Sequence, residues 1–160
     1  MFIYMYTLAI DPSIKHTGVA LFLGQELQWA RVVTSAEPTS ASREVRYKAM
    51  ADLIKEAVGP AIPAELILEF PEIYPRHPAR PNDLMLLAGL TGYLAGSIEA
   101  LKVITYLPKQ WKGQLPKDVC ITRVSSKLTP TELWRVSAGD KTDAWDAVGI
   151  GLFRLRRFGK

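Results

Sequence analysis

The chain has 160 residues, with 20 Lys and Arg against 16 Asp and Glu, a formal charge of +4. At roughly 150 residues per domain this predicts one domain over residues 1–160. A composition of 48% hydrophobic and 22% charged residues excludes disorder as the main state, and the lone Cys120 excludes an intramolecular disulfide framework and fits a reducing cytosol.

The opening segment MFIYMYTLAI is apolar, carries no basic leader and runs into Asp11. It reads as a strand, not a signal peptide. Asp11-Pro12 ends that strand, over residues 4–10. Residues 18–23 make a second strand, Gly24-Gln25-Glu26 a hairpin turn and residues 27–33 a third strand, so the chain opens with an antiparallel meander. Ser42 caps a helix over residues 43–58, which Gly59-Pro60 stops. Residues 66–70 are a short buried strand. A proline-rich loop over residues 71–81 follows, and Asn82 caps a helix over residues 83–101. Within that helix the longest uncharged stretch, residues 84–98, is too short to span a bilayer, so no membrane partner is expected. Residues 103–107 are the fifth strand. A short helix near residues 109–112 precedes a stretch without clear periodicity, and the last helix covers about residues 142–157. The order β-β-β-α-β-α-β-α predicts an α/β fold. It would be a ribonuclease H-like mixed five-stranded sheet with helices on both faces.

Four acids stand where a metal site on such a sheet needs them. Asp11 ends the first strand, and Glu69 ends the apolar run Leu66-Ile67-Leu68. Asp143 and Asp146 are three apart at the start of the last helix and share one of its faces. Each also has a plain structural reading. Asp11 before Pro12 can initiate a turn, Glu69 can face solvent from an edge strand, and Asp143 suits the first turn of a helix. As a set they are hard oxygen donors suited to Mg²⁺ or Mn²⁺, and two histidines with one cysteine argue against zinc. Two ions about 3.5–4 Å apart can activate a water and stabilise the leaving oxygen of a phosphodiester.

The basic residues are unevenly placed. Residues 71–117 hold Arg76, Arg80, Lys102, Lys109, Lys112 and Lys117 against three acids. After Asp146 there is no acid, while Arg154, Arg156, Arg157 and Lys160 follow. Such segments suit a polyanion, and a solvated basic surface is the plain alternative.

Three segments together resemble the RuvC-type Holliday-junction resolvase family. The first is Leu8-Ala9-Ile10-Asp11-Pro12-Ser13 followed by Thr17-Gly18-Val19-Ala20. The second is Leu66-Ile67-Leu68-Glu69, and the third Lys141-Thr142-Asp143-Ala144-Trp145-Asp146-Ala147-Val148. The likeness spans nearly the whole chain. It implies Asp11, Glu69, Asp143 and Asp146 as catalytic ligands of two Mg²⁺ ions, with Mn²⁺ as a substitute. It also implies a homodimer making paired symmetric nicks in a four-way DNA junction, in a bacterial cell or a phage-infected bacterium. Pro108-Lys109-Gln110-Trp111-Lys112-Gly113 is similar to the start of the family's basic segment, which makes Lys112 the catalytic lysine. Ser13 replaces the family's usual Gly, and Asp143 stands where some members carry His.

The DNA-binding candidates are Tyr74, Arg76, Arg80, Lys109, Lys112 and Lys117, with Tyr74 placed to stack on an unpaired base. His16 and His77 read as exposed, Glu72 is a spare carboxylate, and the four tryptophans read as core. Gly89, Gly92 and Gly96 mark the helix over residues 84–101 as the candidate dimer contact. The rivals are a ribonuclease H-like nuclease for flaps, forks or structured RNA, a non-catalytic junction binder, and an actin-like nucleotide-binding protein.

Overall fold

The computed structural model describes residues 5–73, 80–137 and 142–159. Strands β1 (Tyr6–Asp11), β2 (His16–Leu23) and β3 (Glu26–Thr34) form the meander. Gly24 makes the tight β2–β3 turn at φ 58°. Helix α1 (Arg43–Val58) leads into β4 (Glu65–Glu69), and α2 (Pro81–Ser97) into β5 (Lys102–Tyr106). Then come α3 (Pro108–Trp111), α4 (Lys117–Ser125), α5 (Pro130–Trp134), β6 (Val136–Ser137) and α6 (Asp143–Arg154).

The sheet has six strands, not five, in the order β5-β4-β1-β2-β3-β6. β4 runs parallel to β1 and β5 parallel to β4, while the two-residue β6 adds a parallel edge beside β3. Two residues are too few to show a period in sequence. Two other boundaries moved. The N-cap of α2 is Arg80, not Asn82, and Pro81 occupies the first helical position, where a missing N–H costs nothing. The same helix stops at Ser97, because Ile98 turns extended and the Leu101 N–H donates to the Pro63 carbonyl at 3.1 Å. Ser42 does cap α1, its hydroxyl accepting from the Val45 N–H.

Strand alternation sorts the core into two layers. Leu8, Ile10, Val19, Leu21, Leu66 and Leu68 face α1 and α2, where Met50, Ile54, Leu90 and Leu94 are buried with them. Ala9, Ala20, Phe22 and Ile67 face α6, meeting Ala147, Val148, Ile150 and Leu152. Each fully buried Leu or Ile contributes roughly 1.5–3 kcal/mol, so both layers carry stability. Two glycines let α6 sit close to its neighbours, Gly151 against the sheet and Gly149 against α3. A Cβ on Gly151 would come within 2.2 Å of the Phe22 ring, and one on Gly149 within 2.4 Å of Trp111.

The expected dimer helix is only partly free. A Cβ on Gly89 would meet the Tyr47 hydroxyl at 2.5 Å, and that hydroxyl donates to the Leu86 carbonyl at 2.7 Å. Gly89 therefore serves the α1–α2 contact within the chain. Gly92 and Gly96 face open space, on the same stripe as the exposed Met85. Among the described residues no helix is long and apolar enough to cross a membrane.

Candidate active site

Parity along the strands builds this site. Asp11 lies two residues beyond Ala9 and Glu69 two beyond Ile67, so both acids face α6. Ile10 pairs with Leu68 in the parallel β1–β4 ladder, so the two carboxylates leave the sheet side by side at the strands' carboxyl ends. Helix α6 begins above them with Asp143 and Asp146 in its first turn, where the helix dipole favours acids. Donor oxygens of Asp11, Asp143 and Asp146 all lie within 4.8 Å of one another.

Gly18 makes this convergence possible. It pairs with Asp11 across the β1–β2 ladder, and a Cβ there would sit 1.9 Å from the Asp143 carbonyl oxygen. The turn between the strands is locked by Thr17, whose hydroxyl donates to the Ser13 carbonyl at 2.6 Å and accepts from the Ser13 N–H at 3.1 Å. Ser13 does not have positive φ in this turn, so its side chain is accommodated there.

Two lysines enter the cluster. Lys112 Nζ lies 3.4 Å from Glu69 Oε2 and 3.7 Å from Asp146 Oδ1. Lys117 Nζ lies 3.7 Å from both Asp143 Oδ1 and Asp146 Oδ2. Glu69 stands at the edge of the group, its Oε2 accepting from the Trp111 indole N–H at 2.6 Å. Burial pushes the Asp11 carboxyl well above its ordinary value, and repulsion from Glu69 and Asp146 adds to this. Burial raises Glu69 too, against the pull of Lys112 and the Trp111 hydrogen bond. Burial alone would lower Lys112, but Glu69, Asp146 and Asp11 outweigh it and raise it. Four carboxylates around two ammonium groups leave negative charge uncompensated. The chemistry of the donors, hard oxygens converging from β1 and α6 with Glu69 of β4 at their edge, fits divalent Mg²⁺ or Mn²⁺.

The other sequence candidates are scattered. Lys109 pairs with Glu72 at 2.7 Å, and no ion pair joins it to the cluster among the described residues. Arg80 is exposed at the head of α2, with no ion pair joining it to the cluster among the described residues. Tyr74, Arg76 and His77 lie outside the described residues. His16 Nδ1 is 3.1 Å from Thr34 Oγ1 on the β2–β3 pair. Of the tryptophans, Trp134 is not core, being 90% exposed. Trp111 is core but also holds Glu69, a role that sequence reasoning missed; its place beside Lys112 was the available signal.

No family model matches the sequence, and no curated protein does. Solved structures do share its fold. A Thermus thermophilus RuvC in complex with a Holliday junction substrate superposes with a TM-score of 0.67 at 22% identity, covering 93% of this chain and 92% of that one. A second Thermus thermophilus RuvC structure gives 0.62 at 18% identity, with 96% and 98% covered. The yeast mitochondrial Holliday junction resolvase Ydc2 gives 0.58 at 14% identity, with 94% and 78% covered. The chain therefore has the ribonuclease H-like fold of these resolvases, with six strands in place of the five expected.

Proposed function

We propose that the protein is a divalent-metal-dependent endonuclease that resolves four-way DNA junctions by paired symmetric nicks, acting as a homodimer. The observation that carries this reading is the convergence of Asp11, Asp143 and Asp146 within 4.8 Å, flanked by Glu69 and Lys112, at the carboxyl ends of the two adjacent parallel strands. The solved RuvC that holds a Holliday junction substrate aligns over nearly all of both chains, which supports a branched substrate.

Asp11, Asp143 and Asp146 would hold the metal, with Glu69 completing the set. Two Mg²⁺ ions, or Mn²⁺ in their place, supply Lewis acidity when bound. Glu69 is fixed by Trp111 and accepts a proton from the attacking water. That water's oxygen bonds to phosphorus as the bond to the 3′ oxygen breaks. The 3′ oxygen leaves and takes a proton from bulk water, giving a 3′-hydroxyl and a 5′-phosphate, and Glu69 returns its proton to solvent. Lys112, held protonated by its acidic neighbours, faces the negative charge that builds on the phosphoryl oxygens. Lys117 keeps Asp143 and Asp146 aligned. The open stripe of Met85, Gly92 and Gly96 on α2 is the proposed contact between protomers.

The test is cleavage of a labelled synthetic four-way junction in Mg²⁺, beside linear duplex, flap and fork, with Asp146→Asn as the control. Paired symmetric nicks on the junction, reduced at least a hundredfold in the variant, are expected. Preferential cutting of flap, fork or structured RNA would retain the site and replace the substrate. Tight junction binding without cleavage in Mg²⁺ or Mn²⁺ would overturn the enzyme reading.

A further inference from the structure

An open groove of 1310 Å³ is lined by α3 and the residues after it, by α4, and by the last turn of α6 and the segment beyond it, from Lys112 to Gly159. Its lining includes six cations, Lys112, Arg123, Lys127, Arg154, Arg156 and Arg157, and no carboxylate. In a chain with 16 acids that separation is a strong local field. Three of the six are committed elsewhere. Lys112 belongs to the acid cluster, Arg154 pairs with Glu65, and Arg157 pairs with Glu132. Arg123, Lys127 and Arg156 are exposed and have no carboxylate partner among the described residues. They come from α4, the α4–α5 connection and the segment after α6, so the fold gathers them from separate parts of the chain.

The backbone at Arg156 gives a second, independent observation. The Arg156 N–H donates to the Phe153 carbonyl at 3.1 Å and the Arg157 N–H to the Leu152 carbonyl at 2.8 Å. These two bonds are a Schellman closure of α6, with Arg156 as its left-handed residue at φ 58°. Glycine is the residue that fits this position without strain. An arginine here works against local stability and places a guanidinium in the groove.

We propose that this groove is a phosphate track for a DNA duplex arm leading away from the active site. The aromatic lining supports backbone tracking rather than base stacking. Trp111 and Phe158 are buried, and Tyr106 and Phe153 pack edge-on against each other at 5.1 Å. From Asp146 to Arg154 the helix rises roughly 12 Å. That length matches about three or four base-pair steps of one strand. The proposal rests on the nuclease reading of the site, because Lys112 belongs to both places.

The test compares R123Q/K127Q/R156Q with R43Q/K48Q/K55Q, which removes the same charge from α1 on the opposite face of the sheet. Binding to a labelled four-way junction and to a plain duplex is followed by fluorescence anisotropy across a salt series, in metal-free buffer. The groove variant is expected to lose tenfold or more in affinity at about 100 mM salt, and its log–log salt slope to flatten by about two to three. The α1 variant keeps the wild-type slope. An unchanged groove variant, or equal losses in both variants, overturns the track. If wild type binds duplex and junction equally and the groove variant loses on both, the track stands and the junction reading fails. R156G separates binding from folding. Weaker DNA binding with an unchanged or higher Tm supports the proposal, and weaker binding only in step with a lower Tm overturns it.

Discussion

The indole of Trp111 packs beneath Gly149 and donates its N–H to Glu69 Oε2, while the Lys112 ammonium lies 4.8 Å from the ring's centre. One side chain thus supports both an acid and a base-facing cation of the candidate site. Trp111→Phe keeps most of the apolar contact and removes the donor. A buried group left short of one hydrogen bond costs about 1–3 kcal/mol, an upper bound for the partly buried Glu69, so the variant should fold with a modestly lower Tm. Glu69 would lose its fixed orientation. Junction cleavage should then show kcat reduced about tenfold or more with KM nearly constant, as expected when an interaction made mainly in the transition state is weakened. Measured kcat and KM changing together would count against this role. The sequence made Trp111 a core residue, which is correct for its burial. Its hydrogen-bond partner lies 42 positions away, a distance no local pattern can display.

At the scale of elements, the decisive contact is the approach of β2 to the start of α6. Gly18 has no room for a methyl group, since the Asp143 carbonyl would lie 1.9 Å from it and that carbonyl is backbone. Gly18→Ala should therefore push the first turn of α6 away from β1. Overpacking of this kind costs typically about 1–3 kcal/mol. The larger effect should be on Asp143 and Asp146, which move with the helix. We expect a fold retained by circular dichroism, cleavage lowered at least a hundredfold, and Mg²⁺ affinity weakened in isothermal titration. Wild-type cleavage in a folded Gly18→Ala protein would contradict this account. The same scale explains which elements were legible. β1, β2 and β4 carry continuous apolar runs ended by polar residues, and α1 has both its cap and its stop in sequence. α4 buries only Cys120 and Val124, too few for a period, and α5 is five residues long. A signal for α5 was present, because Thr129 and Glu132 have the spacing of a capping box, and both of its bonds form. The four acids were legible because each ends or begins an element. Their convergence was not, since it depends on sheet order and on Gly18 admitting α6.

Across the whole molecule, Glu132 ties together parts that no single element connects. It is 1% exposed. Its carboxylate accepts from the Leu27 N–H of β3, the Thr129 N–H that heads α5, and the Arg157 guanidinium beyond α6. Arg157 continues the link by donating to the carbonyls of Gln25 and Lys127. The Arg157 hydrogen bonds are the main reason the Glu132 carboxyl falls from 4.5 to about 2. A carboxyl lowered on folding stabilises the fold above its ordinary value and loses that contribution as pH falls toward the folded value. The window is therefore pH 4.5 to about 2. The size is about 3 kcal/mol, at roughly 1.4 kcal/mol per unit. Glu132→Gln removes the titration and leaves the guanidinium facing an amide. Wild type should exceed the variant in unfolding free energy by this amount or more near neutral pH, and the gap should narrow steadily below pH 4.5. Urea melts at pH 7, 4 and 3 measure it directly. A gap that stayed constant with pH would mean that Glu132 acts by shape alone, and that the charge on Arg157 does not hold the end of the chain against the sheet.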